Sequence, residues 1–225
     1  TNICLNGTTT KVFAASSAQD TAHVATAGAA GSASLLPNTV PAKPGRATIP
    51  LVSPDERYVA YVSQETTPGE YHLYLASADG GSAVMLTSLA YFDSSTSEQA
   101  AATCQFTKDS RWVVFWNNAF HATISAYRIA DGLRVVLSDP SKASSLAAIR
   151  EIQNDVLFIT DGELWRHPLD GTSGTAENLT AGLMKEISSF ENISPDGTQA
   201  LIFTTDRDLI LITLDGTTAT ATVKT

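Results

Sequence analysis

A tandem repeat built around a Ser-Pro-Asp-Gly turn constrains this chain more than any other feature, because self-similarity at a fixed period limits architecture before any strand is placed. Ser194-Pro195-Asp196-Gly197 opens a turn, a strand spans Gln199 to Thr204, and Asp206-Arg207-Asp208 make a polar turn. A second strand, Leu209 to Leu214, ends in Asp215-Gly216, and a Thr-rich strand follows from Thr218 to Thr225. An earlier copy reads Ser53-Pro54-Asp55-Glu56, strand Tyr58 to Ser63, strand Tyr71 to Ala76, then Asp79-Gly80. Another reads Thr107-Lys108-Asp109-Ser110, strand Trp112 to Trp116, strand Thr123 to Ile129, then Asp131-Gly132. A worn copy has Asn154-Asp155, strand Val156 to Thr160, strand Glu163 to Leu169, then Asp170-Gly171.

The turn aspartates Asp55, Asp109, Asp155 and Asp196 thus recur every ~40 to 55 residues, the period of a propeller blade. Helical repeats do not fit, because apolar positions alternate with period two: Tyr58, Ala60 and Val62 share one face, as do Leu209, Leu211 and Thr213. The turn chemistry agrees with this reading. Proline presets φ, aspartate accepts a backbone N–H two residues on, and Asp-Gly supplies the positive φ of a tight hairpin. Trp112, Phe115, Trp116, Phe158, Trp165 and Phe203 are expected to pack between sheets rather than to stack on a ligand. The expected fold is all-β, a β-propeller of about four full four-stranded blades plus an N-terminal half-blade, forming part of a larger propeller.

The run from Ser194 through Asp206-Arg207-Asp208 to Ile210-Leu211-Ile212-Thr213-Leu214-Asp215-Gly216 resembles the repeat of TolB-type β-propellers. These form a WD-like group that also supplies the propellers of prolyl-oligopeptidase-family peptidases. The resemblance covers residues 47–225 and implies the fold, while saying little of function. The α/β domain that precedes the propeller in TolB has no counterpart here, so TolB's partners do not carry over.

Residues 1–18 read as an outer half-blade, with strands on either side of Asn6-Gly7. Residues 19–46, rich in Ala, Gly, Ser and Pro, read as a connection, and the blades are expected at 47–91, 101–142, 144–183 and 185–225. Thr1 in place of Met marks a processed product or a fragment.

A net charge of −9, with 14 basic residues dispersed along the chain, argues against nucleic-acid binding, which needs clustered Lys and Arg to neutralise phosphates. No apolar run is long enough to cross a bilayer, so no membrane insertion is expected. Composition fits export, giving a periplasmic or extracellular location. The sequons Asn6-Gly7-Thr8 and Asn178-Leu179-Thr180 matter only on a eukaryotic secretory route. Cys4 and Cys104 could form at most one disulfide and read instead as two buried thiols in strands.

No Gly-x-Ser-x-Gly elbow, His-Glu-x-x-His, P-loop or dinucleotide fingerprint is present, and no catalytic residue or cofactor is assigned. His72, His121 and His167 occupy inequivalent repeat positions, so they are expected as scattered surface or rim residues rather than a metal ring. Asp206 and Asp208 lack the ligand count of a dedicated calcium loop. Polar residues of the turns, Glu65, Glu70, Asn117, Asn118, His121, Asp206, Arg207 and Asp208, form the candidate partner-contacting rim. The expected role is a non-catalytic protein-binding or scaffolding module, its partners including the remainder of the propeller in the same or another chain. The alternative is a substrate-gating propeller of a peptidase or hydrolase whose catalytic domain lies elsewhere. An acid/base site within the propeller has no supporting constellation.

Overall fold

The computed structural model describes residues 2–4, 11–16, 21–26, 34–35, 50–64, 71–80, 82–89, 104–117, 123–142, 144–150, 154–169, 175–183, 185–215 and 218–224. All their regular structure is β, in two compact units, Thr1–Ala119 and Phe120–Thr225, each treated by itself.

The first unit opens with β1 (Asn2–Cys4), β2 (Lys11–Ser16), β3 (Thr21–Thr26) and β4 (Ser34–Leu35), joined in that order as a four-stranded antiparallel sheet. This corrects the reading of 1–18 as a half-blade and 19–46 as a connection. Thr21, Val24 and Thr26 give β3 enough β-branching to pair, with Lys11 opposite Thr26 and Ser16 opposite Thr21. The many alanines around them hide the period-two pattern, because alanine marks neither face. Next come β5 (Leu51–Val52), β6 (Tyr58–Gln64), β7 (Tyr71–Ser77) and β8 (Ala83–Leu89), again in sequence order. The unit ends with the antiparallel pair β9 (Cys104–Phe106) and β10 (Trp112–Asn117).

The second unit begins with the pair β11 (Thr123–Arg128) and β12 (Arg134–Val136). The division between units therefore falls inside the span 101–142. Two four-stranded sheets follow in sequence order. One contains β13 (Ser144–Arg150), β14 (Asp155–Thr160), β15 (Glu163–Pro168) and β16 (Glu177–Asn178); the other contains β17 (Ile187–Ile193), β18 (Gln199–Thr204), β19 (Leu209–Asp215) and β20 (Thr218–Lys224).

Central strands are buried on both faces, as stacked sheets require: Val59, Ala60, Tyr61 and Val62 are all inaccessible in β6. Tyr61 and Tyr74 lie opposite each other and stack at 5.7 Å between ring centroids. Burial raises the Tyr61 phenol well above its ordinary pKa. In the second unit Leu157 and Leu164 pack with Ile187, Ala200, Ile202, Ile210, Ile212 and Leu214 in one core between the last two sheets. Trp112, Phe115 and Phe158 are buried; Trp116, Trp165 and Phe203 keep partial exposure. Cys104 is a buried thiol, while the side chain of Cys4 lies outside the described residues.

The repeat is held at its first turn by one hydrogen-bond module. Ser53 Oγ donates to Asp55 Oδ1 (2.6 Å), Arg57 N donates to the same oxygen (3.1 Å), and Tyr58 N donates to Ser53 Oγ (3.0 Å). Thr107 Oγ1, Arg111 N and Trp112 N repeat this around Asp109, at 2.7, 3.0 and 3.0 Å. Ser194 Oγ, Thr198 N and Gln199 N repeat it around Asp196, at 2.6, 3.1 and 2.9 Å. The aspartate's acceptance of an N–H two residues on is therefore as expected. The position after each aspartate is left-handed, with φ of 61° at Glu56, 57° at Ser110 and 70° at Gly197. Only the last copy fills it with the residue that adopts this conformation without strain.

The worn copy does not align as its aspartate suggested. Asp155 is the first residue of β14, and its register partner is Arg150. Arg150 thus stands where Ser53, Thr107 and Ser194 stand, each bonded to the first residue of its following strand, and Asp155 stands where Tyr58, Trp112 and Gln199 do. The hydroxyl–carboxylate pair of the other turns is replaced by a buried ion pair. Arg150 Nε donates to Asp155 Oδ1 at 2.7 Å and Nη2 donates to Oδ2, closing a bidentate fork. Arg150 Nη1 continues to the carbonyls of Gly197 and Leu214, both at 3.2 Å, in the neighbouring sheet.

Candidate functional site

Of the expected rim residues, Glu65, Glu70, Asn118 and His121 lie outside the described residues. Asn117 ends β10 and its side chain is likewise outside them. Asp206, Arg207 and Asp208 are described, and they occupy the turn between β18 and β19.

That turn is fixed by its own backbone. Thr204 N donates to Asp208 O (3.0 Å), Arg207 N donates to Thr204 O (3.0 Å), and Asp208 N donates to Thr204 Oγ1 (3.1 Å). Thr204 is buried, so the hydroxyl that closes the loop is shielded from competing water. Thr205 N donates to Glu186 O at 3.0 Å, tying the loop to the entry of β17. Arg207 carries φ of 69°, the left-handed corner of a hairpin loop, where a side chain bearing Cβ is disfavoured. Asp206 and Arg207 are exposed; Asp208 is partly covered.

Lys185, from the connection between β16 and β17, brings one positive charge to the two aspartates. Its Nζ donates to Asp208 Oδ2 and lies 3.7 Å from Asp206 Oδ2. The Asp208 contact first, then the charges of both aspartates, hold the lysine ammonium above its ordinary pKa. Sequence reasoning missed Lys185, because nothing in its local pattern points to a turn more than a strand away.

At the same end of this unit Lys142 Nζ meets Asp161 Oδ2 at 2.7 Å. Asp161 and Gly162 form the two-residue β14–β15 turn, with φ of 51° and 71°, a primed hairpin. A Cβ on Gly162 would overlap Glu186 Cγ and come within 3.2 Å of Glu186 Cδ. Gly162 O accepts from Ile187 N at 2.7 Å, so this close approach also joins the two sheets.

Of the three recurring histidines, His121 lies outside the described residues, and His72 and His167 belong to different units. His72 is half-buried in β7, its Nδ1 3.1 Å from Ser88 Oγ. His167 corrects the expectation of a surface or rim residue: it is 3% exposed, with Nδ1 2.8 Å from Pro168 O. Its place on β15 opposite Val156 turns it into the packed interior. Among the described residues no group of three or more His, Cys, Asp or Glu side chains is disposed to hold a metal ion. Nor is any helix among them long and apolar enough to cross a membrane.

A second repeat element escaped the sequence reading. Leu137-Ser138 follow β12 and Leu179-Thr180 follow β16. In each, the leucine N–H donates to a carbonyl of the strand before it, Ile124 O in β11 or Leu164 O in β15, at 2.9 and 2.8 Å. The hydroxyl then accepts the N–H of that same residue, Ile124 N to Ser138 Oγ at 2.9 Å and Leu164 N to Thr180 Oγ1 at 3.0 Å. The recurrent Leu-[Ser/Thr] pair was the available signal.

No protein-family model matches the chain, and no curated protein matches it. Solved structures do. Prolyl oligopeptidase B from Galerina marginata, bound to a 35mer hydrolysis and macrocyclization substrate, superposes with a TM-score of 0.60 at 15% identity, over 95% of this chain and 35% of that one. The β-propeller domain of the Trilobed protease from Pyrococcus furiosus, of open velcro topology, superposes with a TM-score of 0.53 at 12% identity, over 93% of this chain and 67% of that one. A putative TolB from Agrobacterium tumefaciens aligns over 95% of this chain and 76% of that one at 14% identity, with a TM-score of 0.48. The fold is that of a β-propeller, with antiparallel four-stranded sheets. The chain spans about a third of the length of the prolyl oligopeptidase.

Proposed function

We propose that this chain is a non-catalytic propeller module that binds a protein partner through the loop end of its second unit carrying Asp206, Arg207 and Asp208. The observation that carries the reading is the β18–β19 turn. Its backbone is closed on the buried Thr204 and Asp208 is ion-paired with Lys185, while Arg207 is exposed in a left-handed conformation. Strain maintained by surrounding hydrogen bonds on a sheet-anchored loop suits a preorganised contact. Glu65, Glu70, Asn117, Asn118 and His121 belong to the proposal as further contact residues. The partner surface also includes further propeller sheets from the same polypeptide or another chain. In support, Leu201, Phe203 and Leu211 on one face of β17–β20 stay partly accessible and Leu209 is 38% exposed. The module acts outside the cytoplasm, in the periplasm or extracellular space, in keeping with its acidic, Thr- and Ser-rich composition.

The test is affinity capture with the full chain and with Arg207→Glu, scored against a peptide-hydrolysis panel. A stoichiometric partner lost at least about tenfold in Arg207→Glu, with no turnover, supports the reading. Partner capture unchanged by Arg207→Glu and Asp206→Lys refutes the site, and turnover by the chain refutes the class.

A second reading draws on two of the similar structures, a prolyl oligopeptidase and the propeller domain of a protease. In it the chain is the substrate-gating propeller of a hydrolase whose catalytic domain lies elsewhere. A co-purifying serine hydrolase whose activity on long peptides, but not on short ones, changes when this chain is removed would select it.

A further inference from the structure

We infer that the outer edge of β20 is a self-association surface, on which β20 of a second copy of this chain pairs antiparallel about a two-fold axis at Ala221. This edge is separate from the Asp206–Asp208 turn, and the inference does not rest on the function proposed for that turn.

A strand at the end of a sheet leaves a row of N–H and C=O groups open to pairing, and proteins blunt such edges by keeping them short, bulged or charged. The end strands β4, β5 and β16 have two residues each, and β1, β9 and β12 have three. The end strands β8, β13 and β17 have seven, but the register of each to its neighbour is broken. In β8 the break leaves Leu86 unpaired, between Met85 opposite Tyr74 and Thr87 opposite Leu73. β20 also has seven residues, and all of them pair with β19 in unbroken register, from Leu209 opposite Lys224 to Asp215 opposite Thr218. It holds no proline, and Lys224 is its one charged residue. Among the end strands of the described sheets it is thus the long one without a bulge. Alternate residues along it direct N–H and C=O away from β19.

A two-fold axis centred on a residue pairs positions of like parity, so each face of the sheet continues across the join. With the axis at Ala221, Thr218 stands opposite Lys224 of the second copy, Ala219 opposite Val223, and Thr220 opposite Thr222. Thr218, Thr220, Thr222 and Lys224 continue the face of Leu209, Leu211, Thr213 and Asp215; Ala219, Ala221 and Val223 continue that of the core residues Ile210, Ile212 and Leu214. This register is also complementary in charge. Lys224 of the second copy comes beside Thr218, whose partner on β19 is Asp215, so cation and anion share one face two strands apart, about 10 Å. The two copies of Lys224 fall at opposite ends of the join, roughly 20 Å apart. Symmetry supplies this match twice, and an isologous contact closes at the dimer. The charge of −9 on each chain opposes association, which salt at about 0.15 M screens beyond about 8 Å.

One strand pair is a small interface, so the association is weak. Sedimentation equilibrium of the full chain, from about 5 to 500 µM in about 0.15 M salt, should show the mass rising from monomer toward dimer and no further. Over the same range hydrogen exchange should slow at alternate amides of β20. Thr220→Lys/Thr222→Lys sets lysine against lysine at both Thr220–Thr222 pairs and should raise the dimer Kd at least about tenfold. Thr220→Lys/Thr222→Glu sets lysine against glutamate at the same pairs and should return Kd to within about threefold of the parent. A chain that stays monomeric throughout overturns the inference, and so does slowed exchange that spares β20. An unchanged Kd in the Lys/Lys variant places the contact elsewhere, and a Lys/Glu variant as weak as Lys/Lys refutes the register; either result overturns the inference as well.

Discussion

Replacing Arg150 by Met removes the guanidinium from the Arg150–Asp155 pair and leaves a carboxylate buried without its partner. The two side chains are 0% and 6% exposed, so water does not screen the pair. Removing one member of such a pair costs about 3–5 kcal/mol. In urea, with a slope of about 2 kcal/mol per M, that is a fall in midpoint of ~1.5–2.5 M, followed by tryptophan fluorescence. The double variant Arg150→Met/Asp155→Leu removes both charges. An apolar replacement of a buried pair is neutral to stabilising, by up to about 4 kcal/mol. Against this, Gly197 O and Leu214 O lose their Nη1 donor, at about 1–3 kcal/mol for each buried acceptor left unsatisfied. The double variant should therefore be more stable than Arg150→Met alone, with a coupling energy of at least about 2 kcal/mol. A single variant within ~1 kcal/mol of the parent, or a double variant as unstable as the two singles combined, would refute the reasoning.

Gly162→Ala should be more damaging than Gly80→Ala, by more than about 1 kcal/mol in urea unfolding, since both need positive φ but only Gly162 meets another residue. Adding Glu186→Ala should recover part of the loss; no recovery would place the cost in the backbone alone. The hydroxyl of Ser194 and the N–H and hydroxyl of Thr198 hold the Asp196 carboxyl below its ordinary pKa. A group with a lowered folded-state pKa contributes stability above its unfolded value, and that contribution is lost as pH falls below about 4. The parent should accordingly lose more stability between about pH 5 and 3 than Asp196→Asn, as thermal melts across that range will show. Lys185→Met should lower the melting temperature slightly in dilute buffer and leave it unchanged in about 1 M salt, because the ammonium sits at the surface.

The strands were legible where turn chemistry and period two coincide. Gln199–Thr204 was placed residue for residue, and Tyr58 and Tyr71 start their strands where the sequence put them. Legibility failed where spacing stands in for geometry. Asp155 falls at the repeat interval of the turn aspartates yet lies on a strand, and only the register shows that Arg150 has taken the hydroxyl's place. β3 was hidden because its alanines carry no facial signal. At the candidate site the Asp206–Asp208 turn was readable as a polar loop. Lys185 was not, because its ion pair joins residues that only sheet packing brings together.

The reach of Arg150 into the neighbouring sheet bears on how this end of the protein comes apart. If β17–β20 opened alone, Gly197 O and Leu214 O would recede and part of a buried guanidinium would lose its acceptors. Peeling that sheet away thus carries an extra penalty that opening both sheets together does not. Amide protons of β14 and β18 should accordingly exchange with deuterium at matched rates, as one cooperative block, instead of the last repeat exchanging ahead of its neighbour.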